Sequence, residues 1–268
     1  LAENVAYGPM VQNTMTKAEA LDKAGVMLAE AGLGDMAAKY PGEVSSGMAR
    51  RAEIVRALIN DPKVLLLDEP LSALDAQLRK DMCIELKRLQ KTVGISFVHV
   101  THNQEEAMSV ADRIAIIADG KMIEEGTPQE IYNKPKKQFT AEFLGEKNIL
   151  IGKIRNLNKS KIVLDISNDK IEIANNNYDV SKNQEVSVSI KSESIKIKKN
   201  VKSKTNEKNS IVGEVTEITF LGQFVRYLVL LSNDQEIQVR SSEKVANVKL
   251  NDHVILNWKL DDFILHNE

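Results

Sequence analysis

The chain has 268 residues, 43% of them apolar, so it is long enough to bury one or two hydrophobic cores. Its net charge of −2 gives no electrostatic basis for binding nucleic acid. No apolar run approaches the roughly 18 residues of a membrane-spanning helix, and the single Cys83 cannot form an internal disulfide, which suits the cytosol.

Helix signals dominate the first sixty residues. Thr16 and Glu19 form a capping box that opens a helix, and Gly32 ends it. A second helix is predicted for residues 46–60, where the serines and glycine before it place free backbone N–H groups at a positive helix end. Such an end is suited to phosphate oxygens.

The most informative segment is the apolar run 63–67, which ends abruptly in Asp68 and Glu69. A short continuous apolar run predicts a strand buried on both faces of a parallel sheet. Open α/β sheets bind ligands just beyond the carboxyl ends of their strands, so both carboxylates are expected at a site. In nucleotide hydrolysis one such carboxylate holds Mg²⁺ and a second takes a proton from the attacking water.

The following elements alternate between helix and strand. A helix over 76–92 ending near Gly94 precedes a strand over 95–101, so His102 is expected at the same sheet edge as Asp68 and Glu69. His99 has the opposite phase on its strand and is expected to be packed or simply exposed. Further helices are predicted at 104–111, after Thr127 and at 137–144, with strands at 113–118 and 121–123. This alternation favours a parallel α/β sheet.

Four short motifs, taken together in order and spacing, resemble the ATP-binding subunit of ABC transporters: a signature loop, a Walker B pair, a D-loop and an H-loop. The signature loop comprises Ser45, Ser46, Gly47 and Met48, and the Walker B pair comprises Asp68 and Glu69. The D-loop comprises Ser72 and Asp75, and the H-loop residue is His102.

The resemblance implies a role for each motif. Asp68 would bind Mg²⁺, Glu69 would be the general base, and His102 would orient the attacking water and the γ-phosphate. The signature loop would grip ATP held by a second subunit, and the D-loop would pass between the subunits. The family's Leu-Ser-Gly-Gly-Gln is here Val-Ser-Ser-Gly-Met at residues 44–48, and Asn103 replaces the usual acid after the histidine.

After residue 146 alanine nearly disappears and short alternating runs rich in Ile and Val take over. Strands are predicted at 161–166, 171–174, 185–190, 195–197, 211–218, 225–231, 236–239 and 253–258, which is typical of a small β-barrel or sandwich. The lysine-rich stretch 196–208 is expected to be a solvated loop. We therefore predict two domains, 1–145 and 146–268.

The resemblance extends over both domains. It implies an α/β fold with an incomplete P-loop NTPase sheet and a helical subdomain, followed by an all-β, OB-like (TOBE) barrel. The 268 residues contain no G-x-x-x-x-G-K-[S/T] phosphate loop. The expectation is therefore a subunit truncated ahead of its signature, which by itself neither binds ATP tightly nor hydrolyses it.

The function implied by the resemblance is ATP hydrolysis that drives import of a small solute, most similar to spermidine/putrescine importers. The implied cofactors are ATP and Mg²⁺. The implied partners are transmembrane permease subunits, a second ATPase subunit in a homodimer and, indirectly, a solute-binding protein, at the cytoplasmic face of the membrane; no nucleic acid is expected. An alternative is a non-catalytic subunit whose β-domain only dimerises or senses a ligand. A DNA-associated ATPase is disfavoured by the near-neutral charge.

Overall fold

The structure, a computed structural model, describes residues 1–144, 147–166, 169–200, 209–245 and 247–266. The chain divides into two compact units, Leu1–Ile114 and Ala115–Glu268. The boundary predicted after residue 145 falls on residues outside the described ones and stays a prediction. Among the described residues, no helix combines the length and the apolar character needed to cross a bilayer.

The first unit is mainly helical. Its helices are α1 (Ala2–Val11), α2 (Lys17–Glu30), α3 (Ser46–Leu58), α4 (Ala76–Val93) and α5 (Gln104–Val110). The sequence analysis gave no bounds for α1, which includes Gly8 and Pro9 although both residues disfavour a helix interior. Tertiary packing overrides that local preference, since Val5 and Ala6 are fully buried against α2 and α3.

Local capping sets the helix ends that the sequence predicted. The Thr16 hydroxyl accepts a hydrogen bond from the Glu19 N–H, and the Glu19 carboxylate accepts one from the Thr16 N–H. Asp75 caps α4, which ends at Gly94 in the left-handed conformation. These boundaries are confirmed because each depends on contacts between residues three or four apart.

Two parallel strands, β1 (Val64–Asp68) and β2 (Ser96–Val100), pair residue by residue from Val64 opposite Ser96 to Asp68 opposite Val100. The parallel pairing confirms the predicted sheet type. The prediction of burial on both faces is wrong: Leu67 is 8% exposed, whereas Leu66 next to it is 74% exposed. One face packs on α3 and α4, and no described element covers the other.

The second unit begins with two strands and two short helices and continues as an all-β region. These elements are β3 (Ile114–Ala118), β4 (Lys121–Gly126), α6 (Pro128–Asn133), α7 (Gln138–Phe143), β5 (Lys147–Leu157), β6 (Lys161–Ile166), β7 (Asp169–Ala174), β8 (Glu185–Lys191), β9 (Lys196–Lys199), β10 (Ser210–Phe220), β11 (Val225–Leu231), β12 (Glu236–Ser241), β13 (His253–Asn257) and β14 (Phe263–His266).

The all-β region consists of two five-stranded antiparallel sheets, ordered β12-β11-β10-β13-β9 and β14-β8-β5-β6-β7. Bulges in β5 and β10 increase the local twist, and the inward residues of both sheets share one hydrophobic core. This confirms the predicted OB-like class. The sequence missed β5 and β14. Of the lysine-rich stretch, the first four residues form β9, and residues 201–208 lie outside the described ones.

Candidate functional site

The carboxyl ends of β1 and β2 place two predicted site residues side by side. Glu69 directly follows β1, and His102 follows β2 after one intervening residue. The Nδ1 atom of His102 lies 3.1 Å from Oε1 of Glu69. Both side chains are open to solvent, at 50% exposure for Glu69 and 74% for His102. The pair therefore forms an accessible carboxylate–imidazole couple at the sheet edge.

The backbone at Glu69 holds this couple in an unusual conformation. Glu69 has φ +40°, in a region that non-glycine residues rarely adopt. Its N–H donates to the carbonyl of Val100 at 2.9 Å, and its own carbonyl accepts from the N–H and the hydroxyl of Ser72 at 3.3 and 3.0 Å. Strained residues that neighbouring bonds hold in place cluster at functional sites.

The turn from β2 into α5 is ordered by Glu106, a residue that sequence reasoning missed. Glu106 is buried, and its carboxylate contacts His99 Nε2 at 2.8 Å and accepts from the Thr101 hydroxyl at 2.7 Å. Thr101 in turn accepts from the N–H of Asn103, which caps α5 through the Glu106 N–H. The pattern of an N-cap Asn followed three residues later by Glu was the available signal.

These bonds involve Thr101 and Asn103, the residues on either side of His102. His99 lies in this network with its side chain 12% exposed, so of the two expectations for this residue, packed or exposed, the packed one is observed.

Asp68 is the last residue of β1 and is exposed. By strand alternation it lies on the same open face as Leu66, opposite the face that carries Leu67. Among the described residues its carboxylate has no hydrogen bond or ion pair, so both oxygens are free to accept a ligand.

The signature residues lie at the start of α3. Ser45 is the N-cap, with its hydroxyl accepting from the Met48 N–H at 3.3 Å, and Ser46 and Gly47 open the helix. A Cβ at Gly47 would lie 3.0 Å from Leu78 Cδ1, so glycine permits α3 to approach α4 closely.

The D-loop residues have local bonds of their own. The Ser72 hydroxyl donates to the Glu69 carbonyl oxygen, and the Asp75 carboxylate accepts from the Leu78 N–H at 2.9 Å. Within the part of the chain that the structure describes, no hydrogen bond or ion pair joins the signature residues to the Glu69–His102 couple. The structure thus brings Asp68, Glu69, Ser72 and His102 to one edge and leaves Ser45–Met48 as a separate helix end.

This edge fits the magnesium-binding and water-activating part of a nucleotide site. A free carboxylate is a ligand that Mg²⁺ prefers, and a solvent-accessible carboxylate bonded to an imidazole can accept a proton from water. The 268 residues contain no sequence of the form G-x-x-x-x-G-K-[S/T] that could contribute to this edge.

Comparisons with known proteins give a consistent picture. A family model described as "ABC transporter" matches residues 2–72, and one described as "TOBE domain" matches residues 188–265. The first match includes the signature, Walker B and Ser72, and the second falls in the all-β region.

Several curated relatives named "Spermidine/putrescine import ATP-binding protein PotA" are similar over nearly the whole chain. The relative from Thermobifida fusca is 37% identical over 262 residues, covering 97% of this chain and 67% of that protein. The one from Clostridioides difficile is 38% identical, covering 92% and 67%. The one from Fusobacterium nucleatum is 36% identical, covering 98% and 70%.

Proposed function

The chain belongs to the family of ATP-binding subunits of ABC transporters, and from that premise we propose that it powers import of a small polyamine such as spermidine or putrescine. The observation that carries the proposal is the 3.1 Å contact between Glu69 and His102 at the carboxyl edge of two parallel strands. The polyamine assignment is supported by the names of the relatives.

Glu69 is the proposed general base. Its carboxylate faces solvent and can accept the proton of a water molecule. The bond from His102 fixes its orientation, and His102 also directs the water toward the reacting phosphate. The bonds at the Glu69 backbone hold the main chain from which this carboxylate extends.

Asp68 is the proposed support for Mg²⁺, which neutralises charge on the phosphate oxygens when it is bound. Ser45, Ser46, Gly47 and Met48 are proposed to contact ATP held by a second copy, through the hydroxyl and the free N–H groups of the α3 start. Ser72 and Asp75 are proposed to lie between the two copies.

The proposed partners follow from the same scheme. Two copies form a homodimer that attaches to transmembrane permease subunits at the cytoplasmic face of the membrane. A solute-binding protein delivers the polyamine to the permease. The boundary between the ATPase and β-domains is proposed at residues 145–146. Because the phosphate loop is missing from the 268 residues, we propose that they do not hydrolyse ATP by themselves.

The test compares the chain alone with a fused form. The fused form carries, ahead of Leu1, a G-x-x-x-x-G-K-[S/T] phosphate-loop segment taken from an active ATP-binding subunit of this family. We expect no ATPase from the chain alone and Mg²⁺-dependent ATPase from the fused form. Glu69→Gln should lower that rate by about 10²–10⁴-fold, because a positioned general base contributes that much. The same fused form, produced with the permease subunits, should restore spermidine uptake to transport-deficient cells.

The matched control is Glu30→Gln, which removes an exposed carboxylate at the end of α2. The catalytic proposal would be overturned if the folded fused form had no ATPase activity, or if Glu69→Gln left its ATPase rate unchanged. Dimerisation or a solute-dependent shift in melting temperature, together with indifference to ATP, would favour the non-catalytic alternative. An ATPase rate from the chain alone that Glu69→Gln abolishes would contradict the proposed inactivity.

A further inference from the structure

The groove between α4 and α5 has no part in the proposed ATPase chemistry. It encloses a cavity of about 450 Å³, a size within the range of ligand-binding pockets. Cys83 and Ile84 give it an apolar lining. Burial raises the pKa of the Cys83 thiol, which therefore stays neutral at pH 7 and contributes apolar surface.

A row of lysines follows this apolar lining along α4. Lys80, Lys87 and Lys91 line the groove together with Ile84. Their positions, at i, i+7 and i+11 with Ile84 at i+4, place all four on one face of the helix. Lys80 and Lys91 are 11 residues apart, which corresponds to roughly 16 Å along a helix that rises about 1.5 Å per residue.

The charge of this row is not neutralised within the unit. Lys87 donates to the backbone carbonyl of Ser109 at 3.4 Å, which leaves its charge in place. Neither Lys80 nor Lys91 has a carboxylate partner among the residues that the structure describes. The two arginines nearby are already engaged, Arg79 with the carbonyls of Leu71 and Leu74 and Arg88 with Glu85.

The opposite wall, formed by α5, limits what can enter. It carries Glu105, which is exposed, and Glu106, whose carboxylate is bonded to His99 and Thr101. A nucleic-acid backbone or a polyphosphate carries no apolar group that could fill the cavity beside Cys83 and Ile84. A compact anion would contact only one or two lysines of a row about 16 Å long. A bilayer surface is too flat to reach the cavity.

We propose that this groove binds an acidic amphipathic helix of a partner protein. One apolar side chain of the partner enters the cavity against Ile84, and carboxylates spaced along the partner helix pair with Lys80 and Lys91. Charge complementarity and the elongated row identify the occupant. An amphipathic helix laid in a groove with anchors at such spacings is a recurring mode of peptide recognition. The inference does not depend on the ATPase proposal.

The test selects ligands from a display library of 16-residue helical peptides on the wild-type chain. Counter-selection uses the double variant Lys80→Glu with Lys91→Glu. We expect acidic peptides with one apolar anchor, bound at least tenfold more weakly by the double variant and by Ile84→Asp, as measured by fluorescence anisotropy. Binding should weaken as salt rises, because the lysines are exposed.

The matched control is Lys17→Glu with Lys63→Glu, which makes the same charge change at exposed sites outside the groove and should leave peptide affinity unchanged. Circular dichroism checks that each variant is folded. Three results would overturn the proposal: peptides without an acidic pattern, equal binding by the control and groove variants, or Lys80-dependent competition by polyphosphate or phosphatidylglycerol vesicles.

Discussion

The two units bury their apolar residues in different ways. In the all-β region, two five-stranded sheets enclose one core, and residues such as Leu164, Tyr227 and Val239 are fully buried. In the first unit, the β1–β2 pair buries Leu65 and Leu67 on one face but leaves Leu66, Val98 and Val100 exposed on the other. The two sheets of the β region cover one face of each other, whereas no described element covers the second face of the sheet that carries the candidate site.

This difference matters because exposed apolar surfaces are typical of interaction sites. Its exposed members on β1 and β2 are Val64, Leu66, Val98 and Val100. Asp68 lies on the same face, so the open surface and the proposed magnesium ligand adjoin. The stability of the β region is expected to depend on its own residues, and that of the β1–β2 edge only on its packed side.

Truncation of the β core should have the largest effect. Leu164 is fully buried in β6, so Leu164→Ala should lower the free energy of unfolding by about 2–5 kcal/mol through lost burial and a cavity. Urea unfolding followed by the fluorescence of Trp258, the only tryptophan and part of this core, measures it.

The control is Leu250→Ala, which removes an exposed leucine of the same region and should change stability by less than about 0.5 kcal/mol. Far-UV circular dichroism, which follows the helices of the first unit, should hardly respond to Leu164→Ala. Equal shifts in both signals would break the comparison, because the units would then unfold together.

Within β1, adjacent leucines should behave oppositely. Leu67→Ala should lower the free energy of unfolding by about 2–3 kcal/mol, because Leu67 packs in the core shared with α3 and α4. Leu66→Ala should cost less than about 0.5 kcal/mol, since that side chain is already in water. Urea unfolding followed by circular dichroism compares the two. Similar losses would mean that the open face is covered in solution.

Two glycine-to-alanine substitutions should change the free energy of unfolding in opposite directions. A Cβ at Gly213 in β10 would lie 2.5 Å from Val229 Cγ1 and 2.7 Å from the Leu230 carbonyl oxygen. Gly213→Ala should therefore destabilise the β region by about 1–2 kcal/mol through overpacking. Gly25 in α2 has no neighbour within 4 Å of the added atom. Gly25→Ala should stabilise the first unit by about 0.5–1 kcal/mol.

Thermal unfolding of each variant, followed by tryptophan fluorescence and by circular dichroism, separates these effects. If Gly213→Ala left the melting temperature unchanged, the side chains around residue 213 would have to move apart more easily than their close contacts indicate.

The smallest expected effect is a pH dependence confined to the β region. Lys199 donates to both carboxylate oxygens of Asp252 at 2.9 Å, and the Lys249 N–H donates at 2.8 Å. These bonds, that of Lys199 foremost, lower the pKa of Asp252. The stabilisation is therefore complete above the unfolded pKa of about 3.9 and is lost as the pH falls through the lower folded pKa.

Melting temperatures of wild type and Asp252→Asn, measured from pH 7 to pH 2.5, should differ most at neutral pH and converge in acid. Asp234→Asn, at an exposed turn of the same region, serves as the control. A difference that grows in acid would contradict the assigned direction.

The sequence predicted the parts of the fold that local chemistry controls. Capping by Thr16, Asp75 and Thr127 set helix starts, and alternation of apolar residues identified most β strands. It gave no bounds for α1, which includes Gly8 and Pro9 although both residues disfavour a helix interior. It missed β5 and β14.

The candidate site also has features that the sequence predicted and features that it did not. The sequence by itself predicted that Glu69 and His102 follow parallel strands and so lie at a common edge of the sheet. The direct pairing of β1 with β2, which brings the two side chains into contact, was decided by the structure. Only the tertiary structure decided that Glu106 orders the turn beside His102 and that Leu66 lies open while Leu67 is packed. Those facts depend on which other elements pack against each residue. An apolar run has the same sequence whether one face of its strand is covered or both are.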